Sequence, residues 1–227
     1  MDNDNHEAVA RTLAAIAKKV ANRERQSLEE AKKRNSDLKR PDFVWHYLLQ
    51  SFATMGRASG WKGLLGNPDN YKAVGYKTLA QLAPSARAVH VEVLCRRAGI
   101  RMPALKAKYI LGCFQRVEEM GGPEAARARL LDLPGREAKM QFLDDFPGIG
   151  PKYSRNIMMD VYHEDFRESI AIDSRIMGIE KFHGLEFTRY EDHESFWLGV
   201  AHRAGLNGWE LDRVMFGFQK EFLTARA

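Results

Sequence analysis

Phe146-Pro147-Gly148-Ile149-Gly150-Pro151-Lys152 sets two glycines, separated by one apolar residue, between two prolines. Upstream of it, Glu137-Ala138-Lys139-Met140-Gln141-Phe142-Leu143 reads as an amphipathic helix. Downstream, Tyr153-Ser154-Arg155-Asn156-Ile157-Met158-Met159 reads as another. Pro147 stops the first helix, and Pro151 suits the first turn of the second, where its missing N–H costs nothing. Gly148 and Gly150 let the backbone take a positive φ and let a neighbour come close. The pattern predicts a tight helix-hairpin-helix with outward-pointing N–H groups and a helix N-terminus behind them. That arrangement is an anion site, suited to a backbone phosphate of nucleic acid. The plainer reading is an ordinary turn between two helices.

Working outward, the chain of 227 residues is 44% hydrophobic and 29% charged, enough for one sizeable core or two small domains. Its net charge of +5 and pI near 9.2 fit a nucleic-acid binder without demanding one. Cys95 and Cys113 stand alone in apolar helical patterns, which excludes a disulfide framework or zinc site and suggests buried thiols in a reducing compartment. The acidic start Met1-Asp2-Asn3-Asp4-Asn5 has no apolar run and does not read as a secretory signal, and no stretch reads as a membrane span. The expected location is therefore intracellular, cytoplasmic or nucleoid.

Val9, Leu13, Ile16 and Val20 form one apolar stripe, predicting a docked surface helix that continues into a solvated helical or mobile stretch. Phe43 to Met55 predicts an apolar core helix, and Gly56 to Asn70 a Gly-rich loop pinned by Trp61 and Leu64. Helices are then expected at Thr78–Leu82, from Ser85 to Ala98, from Pro103 to Met120, at Pro123–Leu131 and at Gly135–Phe146. Further helices follow at Ser174–Phe182, Tyr190–Ala204 and Asn207–Leu223. Only Ser169-Ile170-Ala171-Ile172 alternates like a strand, too short to build a sheet. The fold class is all-α.

Lys152 lies in the first turn after the hairpin, where the helix macrodipole and partial shielding from water favour the neutral, nucleophilic amine. A simple phosphate contact is the alternative. Asp173 follows the apolar run Ile170-Ala171-Ile172 and opens Ser174-Arg175-Ile176, the position of an N-cap. Capping and chemistry are compatible, because capping fixes the carboxylate in place.

Hairpin, Lys152 and Ala171-Ile172-Asp173-Ser174, in this order, resemble the helix-hairpin-helix, Gly/Pro-rich-loop, Asp superfamily of DNA glycosylases, to which endonuclease III and the 8-oxoguanine DNA glycosylases belong. The resemblance runs from about Pro41 onward. It implies two helical domains, 43–165 carrying the hairpin and 1–42 plus 166–227 forming the other, with an active site in the cleft between them. It implies that Lys152 attacks the anomeric carbon as in the bifunctional members, which also act as abasic-site lyases, and that Asp173 stabilises the transition state. Gly148, Ile149 and Gly150 would hold a phosphate of double-stranded DNA, and hairpin carbonyls a monovalent cation. No other cofactor or metal is expected, and the protein would act as a monomer. The four-cysteine cluster of the endonuclease III branch is absent from the sequence, so no iron–sulfur cluster is expected.

A damaged base must be flipped out to be reached. By the resemblance, one of Ile100, Arg101 and Met102 is the wedge that fills the gap, with Arg96, Arg97, Lys106 and Lys108 facing phosphates. Gly208-Trp209 and Phe216 resemble the last helix of the eukaryotic-type 8-oxoguanine enzymes, where the aromatic stacks on the flipped purine and the residue four before it, here Asp212, reads the base edge. Those enzymes have glutamine there, so Asp212 is a departure. The Lys152-to-Asp173 interval also implies an insertion around Tyr162–Glu168, and the N-terminal β-domain of the eukaryotic enzymes is not expected. The expected function is a base-excision glycosylase and lyase for an oxidised base, 8-oxoguanine first. A monofunctional glycosylase for alkylated bases and a non-catalytic DNA-binding module are the competing expectations.

Overall fold

The computed structural model describes residues 3–56 and 59–224. Met1 and Asp2 of the acidic start, and Arg57 and Ala58 of the expected loop, lie outside them. The helices are α1 (Asn3–Arg23), α2 (Arg25–Lys32), α3 (Phe43–Thr54), α4 (Ser59–Leu64), α5 (Pro68–Ala73), α6 (Tyr76–Ala80) and α7 (Pro84–Arg97). They continue as α8 (Pro103–Glu119), α9 (Pro123–Asp132), α10 (Gly135–Asp144), α11 (Pro151–Met159), α12 (Ser174–Phe182), α13 (Tyr190–Ala204) and α14 (Gly208–Phe222). Short 3-10 helices occur at Lys33–Lys39 and Glu164–Phe166. Among the described residues there is no strand, and no helix is long and apolar enough to cross a membrane.

The chain divides into two compact units, one of residues 1–36 with 158–227 and the other of 37–157, the second division falling inside α11. In the unit of 37–157, α3 is buried on nearly every side through Phe43, Val44, Trp45, Tyr47, Leu48, Leu49 and Phe52. A helix apolar all round must be enclosed, and α4, α8 and α9 pack on it while α7 packs on α8. The expected Gly56–Asn70 loop is corrected to two short helices. Its glycines serve close packing: a Cβ on Gly60 would lie 2.3 Å from the Ala53 carbonyl oxygen, and one on Gly63 2.0 Å from that of Ala98. Asn67 caps α5 by accepting from the Asn70 N–H at 3.0 Å, ahead of Pro68.

In the unit of 1–36 and 158–227, α1 is no mere surface helix. Val9, Leu13, Ala17 and Val20 are buried, and α1 packs on both α13 and α14. Each such valine or leucine contributes roughly 1.5–3 kcal/mol on burial.

Candidate active site

The turn after α10 is built by packing on α8. Phe146 is buried, the Pro147 ring lies where a Cβ on Gly112 would be 2.9 Å away, and the Pro147 carbonyl accepts from Cys113 Sγ at 3.6 Å. Gly148 has φ +81, and a Cβ there would meet the Tyr109 ring at 2.4 Å, so this position needs glycine for both conformation and space. The N–H groups of Gly148 and Gly150 have no partner among the described residues. Ile149 is a correction: its N–H is committed to the Phe146 carbonyl at 3.0 Å and its side chain is buried, so it offers nothing to an anion. The Gly150 carbonyl accepts from Tyr153 N at 2.8 Å and Ser154 N at 3.0 Å, starting α11. Lys152 is half-buried in its first turn, with Nζ 4.2 Å from the centroid of the Tyr153 ring.

In the same unit, the wedge trio separates. Ile100 is only 3% exposed and belongs to the core, which corrects its candidacy, since a wedge must leave the protein to enter a duplex. Met102 is 55% exposed and held at φ 56, a left-handed conformation that costs a side-chain-bearing residue about 1–2 kcal/mol. Arg101 is exposed and lies along Gly56. Lys106 is not a phosphate-facing surface lysine, for it is 7% exposed and its amine touches the Met55 sulfur and the rings of Phe52 and Tyr109. Among the described residues no carboxylate pairs with it, and burial, aided by the nearby Arg101 charge, lowers its pKa. Asp145 is salt-bridged to Arg116.

The other unit carries Asp173. Its Oδ1 accepts from Arg175 N at 2.8 Å and Ile176 N at 3.2 Å, capping α12, and its Oδ2 lies 3.7 Å from Arg175 Nη1. The extended run before it has no neighbouring strand, so its backbone must be satisfied by side chains. Ile170 N donates to Glu194 Oε1 at 3.0 Å, Ala171 N to Asp212 Oδ1 at 2.9 Å and Ile172 N to the Tyr190 hydroxyl at 2.9 Å, which itself donates to the Ile170 carbonyl. Sequence reasoning missed Glu194 and Tyr190. The only trace was polar residues on the buried face of a helix.

Gly208-Trp209 docks α14 onto this segment. A Cβ on Gly208 would lie 2.8 Å from Ser169 N, Trp209 N donates to the Arg167 carbonyl at 2.8 Å, and the buried indole Nε1 donates to the Met159 carbonyl at 2.6 Å. Trp209 is thus core, not pocket, a correction to its expected role. Asp212, expected at a base edge, is 5% exposed and turned inward onto Ala171. Phe216 alone of that set faces out, 57% exposed, with the Arg175 guanidinium 4.2 Å from its ring centroid. An exposed aromatic face suits stacking against a flat ligand.

Burial pushes the Asp212 carboxyl up to about 6; the Arg213 guanidinium and the Ala171 N–H oppose this, and Asp173 and Asp160 add to it. A pKa raised in the folded state favours folding fully below the unfolded value near 4, and that contribution is lost as pH rises through about 6. Asp212→Asn is therefore expected to gain stability relative to wild type between pH 4 and 7 by up to about 3 kcal/mol, read from urea unfolding at each pH. A gap that does not change with pH would refute the assignment.

No protein-family model matches the chain, and no curated protein matches it in sequence. Among solved structures it superposes on the 8-oxoguanine DNA glycosylase of Methanocaldococcus jannaschii with a TM-score of 0.70. The two share one fold. The alignment covers 93% of this chain and 95% of the other, at 16% sequence identity. This all-helical fold is the one that the hairpin, Lys152 and Asp173 led us to expect. Among the described residues, no group of His, Cys, Asp and Glu is placed to hold a metal ion.

Proposed function

We propose that the protein is a DNA glycosylase with abasic-site lyase activity, acting on an oxidised base in double-stranded DNA, 8-oxoguanine foremost. The observation that carries this reading is the Gly148–Gly150 turn, whose two open amides stand beside the helix that begins with Lys152, in a chain that shares the fold of an 8-oxoguanine glycosylase. In this reading the open amides hold a phosphate next to the lesion. Lys152 Nζ attacks C1′ of the sugar, and the bond from C1′ to the base breaks. The base leaves with the bonding electrons and takes a proton, and the sugar ring opens to an imine on Lys152. Loss of a C2′ proton then expels the 3′ phosphate. The Asp173 carboxylate stabilises the positive charge that grows on the sugar as the bond to the base breaks. Phe216 stacks on the flipped base, and Met102, with Arg101 beside it, replaces Ile100 as the wedge.

The turn carbonyls of Phe146 and Gly150 are neutral, hard oxygen donors, which fits the monovalent cation that the resemblance implies. Bound there, the ion would add positive charge next to the phosphate. The Phe146 carbonyl already accepts one hydrogen bond and the Gly150 carbonyl two, so Phe146 keeps the freer oxygen, and the scheme does not depend on the ion.

The test is single-turnover base release on duplexes carrying 8-oxoguanine opposite cytosine, thymine glycol, an alkylated purine or an abasic site. Release of 8-oxoguanine with nicking supports the proposal. Release without nicking moves the assignment to a monofunctional enzyme, and binding without release to a lesion sensor. Phe216→Ala is expected to slow release of 8-oxoguanine by about 10- to 100-fold, the equivalent of roughly 1–3 kcal/mol of stacking. Because Phe216 is largely exposed, the unfolding midpoint should barely move.

A further inference from the structure

Asp212 has a task that neither the fold nor the resemblance assigns. It lies on α14, yet its Oδ1 holds Ala171, two residues before Asp173, at 2.9 Å. The charged groups facing it are Arg213, with Nε 3.8 Å from Oδ2, and Asp160 and Asp173, which contribute negative charge. Asp160 is itself 3.1 Å from Arg213 Nη2. A buried carboxylate whose only close cation among the described residues is one guanidinium at 3.8 Å is a costly way to accept one backbone hydrogen bond. Thr, Asn or Gln offers an acceptor without the charge. Retaining a carboxylate there fits a role in the site more readily than a role in stability.

We propose that Asp212 is a positioning residue for Asp173: it anchors the sheetless extended segment that ends at Asp173 and sets the negative charge beside that carboxylate. The inference rests on the glycosylase reading for its catalytic consequence, but its structural half stands without it. With its anchor gone, the Ala171–Asp173 segment is free to shift, and displacement of a catalytic group by about 1 Å is enough to lose on the order of 100-fold in rate.

Two variants separate anchor from charge. Asp212→Ala removes the acceptor; Asp212→Asn keeps an acceptor and removes the charge. By amide hydrogen exchange, Ala171 should exchange at least tenfold faster in Asp212→Ala than in wild type and near the wild-type rate in Asp212→Asn. In single-turnover excision at saturating enzyme, Asp212→Ala should lose about 100-fold in rate with DNA affinity within twofold. Asp212→Asn should recover most of that loss. Unchanged Ala171 exchange in Asp212→Ala overturns the anchor, whether or not the protein excises bases. Wild-type rates in both variants of an active enzyme overturn the catalytic consequence. If wild type releases no base at all, the glycosylase reading fails instead, and the exchange result still decides the anchor.

Discussion

Lys152→Gln is expected to abolish the borohydride-trapped adduct with DNA and to cut base release by on the order of 1,000-fold or more, because a nucleophile has no partial substitute in a covalent mechanism. DNA affinity should stay within a few-fold. One charge is lost, while the open amides of Gly148 and Gly150 remain, and each phosphate contact is a small part of the whole. The change should not unfold the protein, since Lys152 is half-buried at the start of α11 and glutamine is a good helix former. Circular dichroism and a binding isotherm check both points. An adduct that persists at wild-type yield would remove Lys152 from the mechanism. Attention would then turn to Lys106, a buried amine in the same unit with no carboxylate partner among the described residues.

Gly148→Ala is expected to lower stability by about 2–5 kcal/mol. Forcing alanine into a left-handed conformation costs roughly 1–2 kcal/mol. Displacing the Tyr109 ring, whose Cγ and Cδ2 would lie 2.6 and 2.4 Å from the new methyl, adds about 1–3 kcal/mol of overpacking. The clash is with the root of the ring rather than with a flexible tip, so it is not relieved by a small rotation. DNA binding should fall with it, because the turn that presents the two open amides is the part displaced. Gly150→Ala is the control. A Cβ there meets nothing within 4 Å and the residue is not in the positive-φ region, so stability should change by no more than about 0.5 kcal/mol. Equal losses in the two variants would show that the strain assigned to Gly148 is misplaced.

The parts of the candidate site that were legible in the sequence are those governed by near neighbours in the chain. Pro147, Gly148, Gly150 and Pro151 announce a turn between helices, and Asp173 before Ser174 announces a cap; the structure shows that turn and that cap. The parts that were not legible depend on what comes to lie beside a residue. Gly60 and Gly63 look like loop glycines, yet they are the points at which α4 meets the Ala53 and Ala98 carbonyls. Ile100, Met102 and Lys106 are close together in sequence, but burial sorts them into core, surface and an enclosed amine.

The helical class, the position of the turn after α10, and the lysine and aspartate at helix starts all follow from local patterns in the chain. Periodicity, capping and proline placement act over a few residues, so a reader of the chain can evaluate them. The tertiary structure alone decided that Asp212 serves Ala171, 41 residues away, that Trp209 is core and that Phe216 faces out. A buried polar group and its partner are matched by the packing of whole helices, and no local pattern in the chain specifies that match.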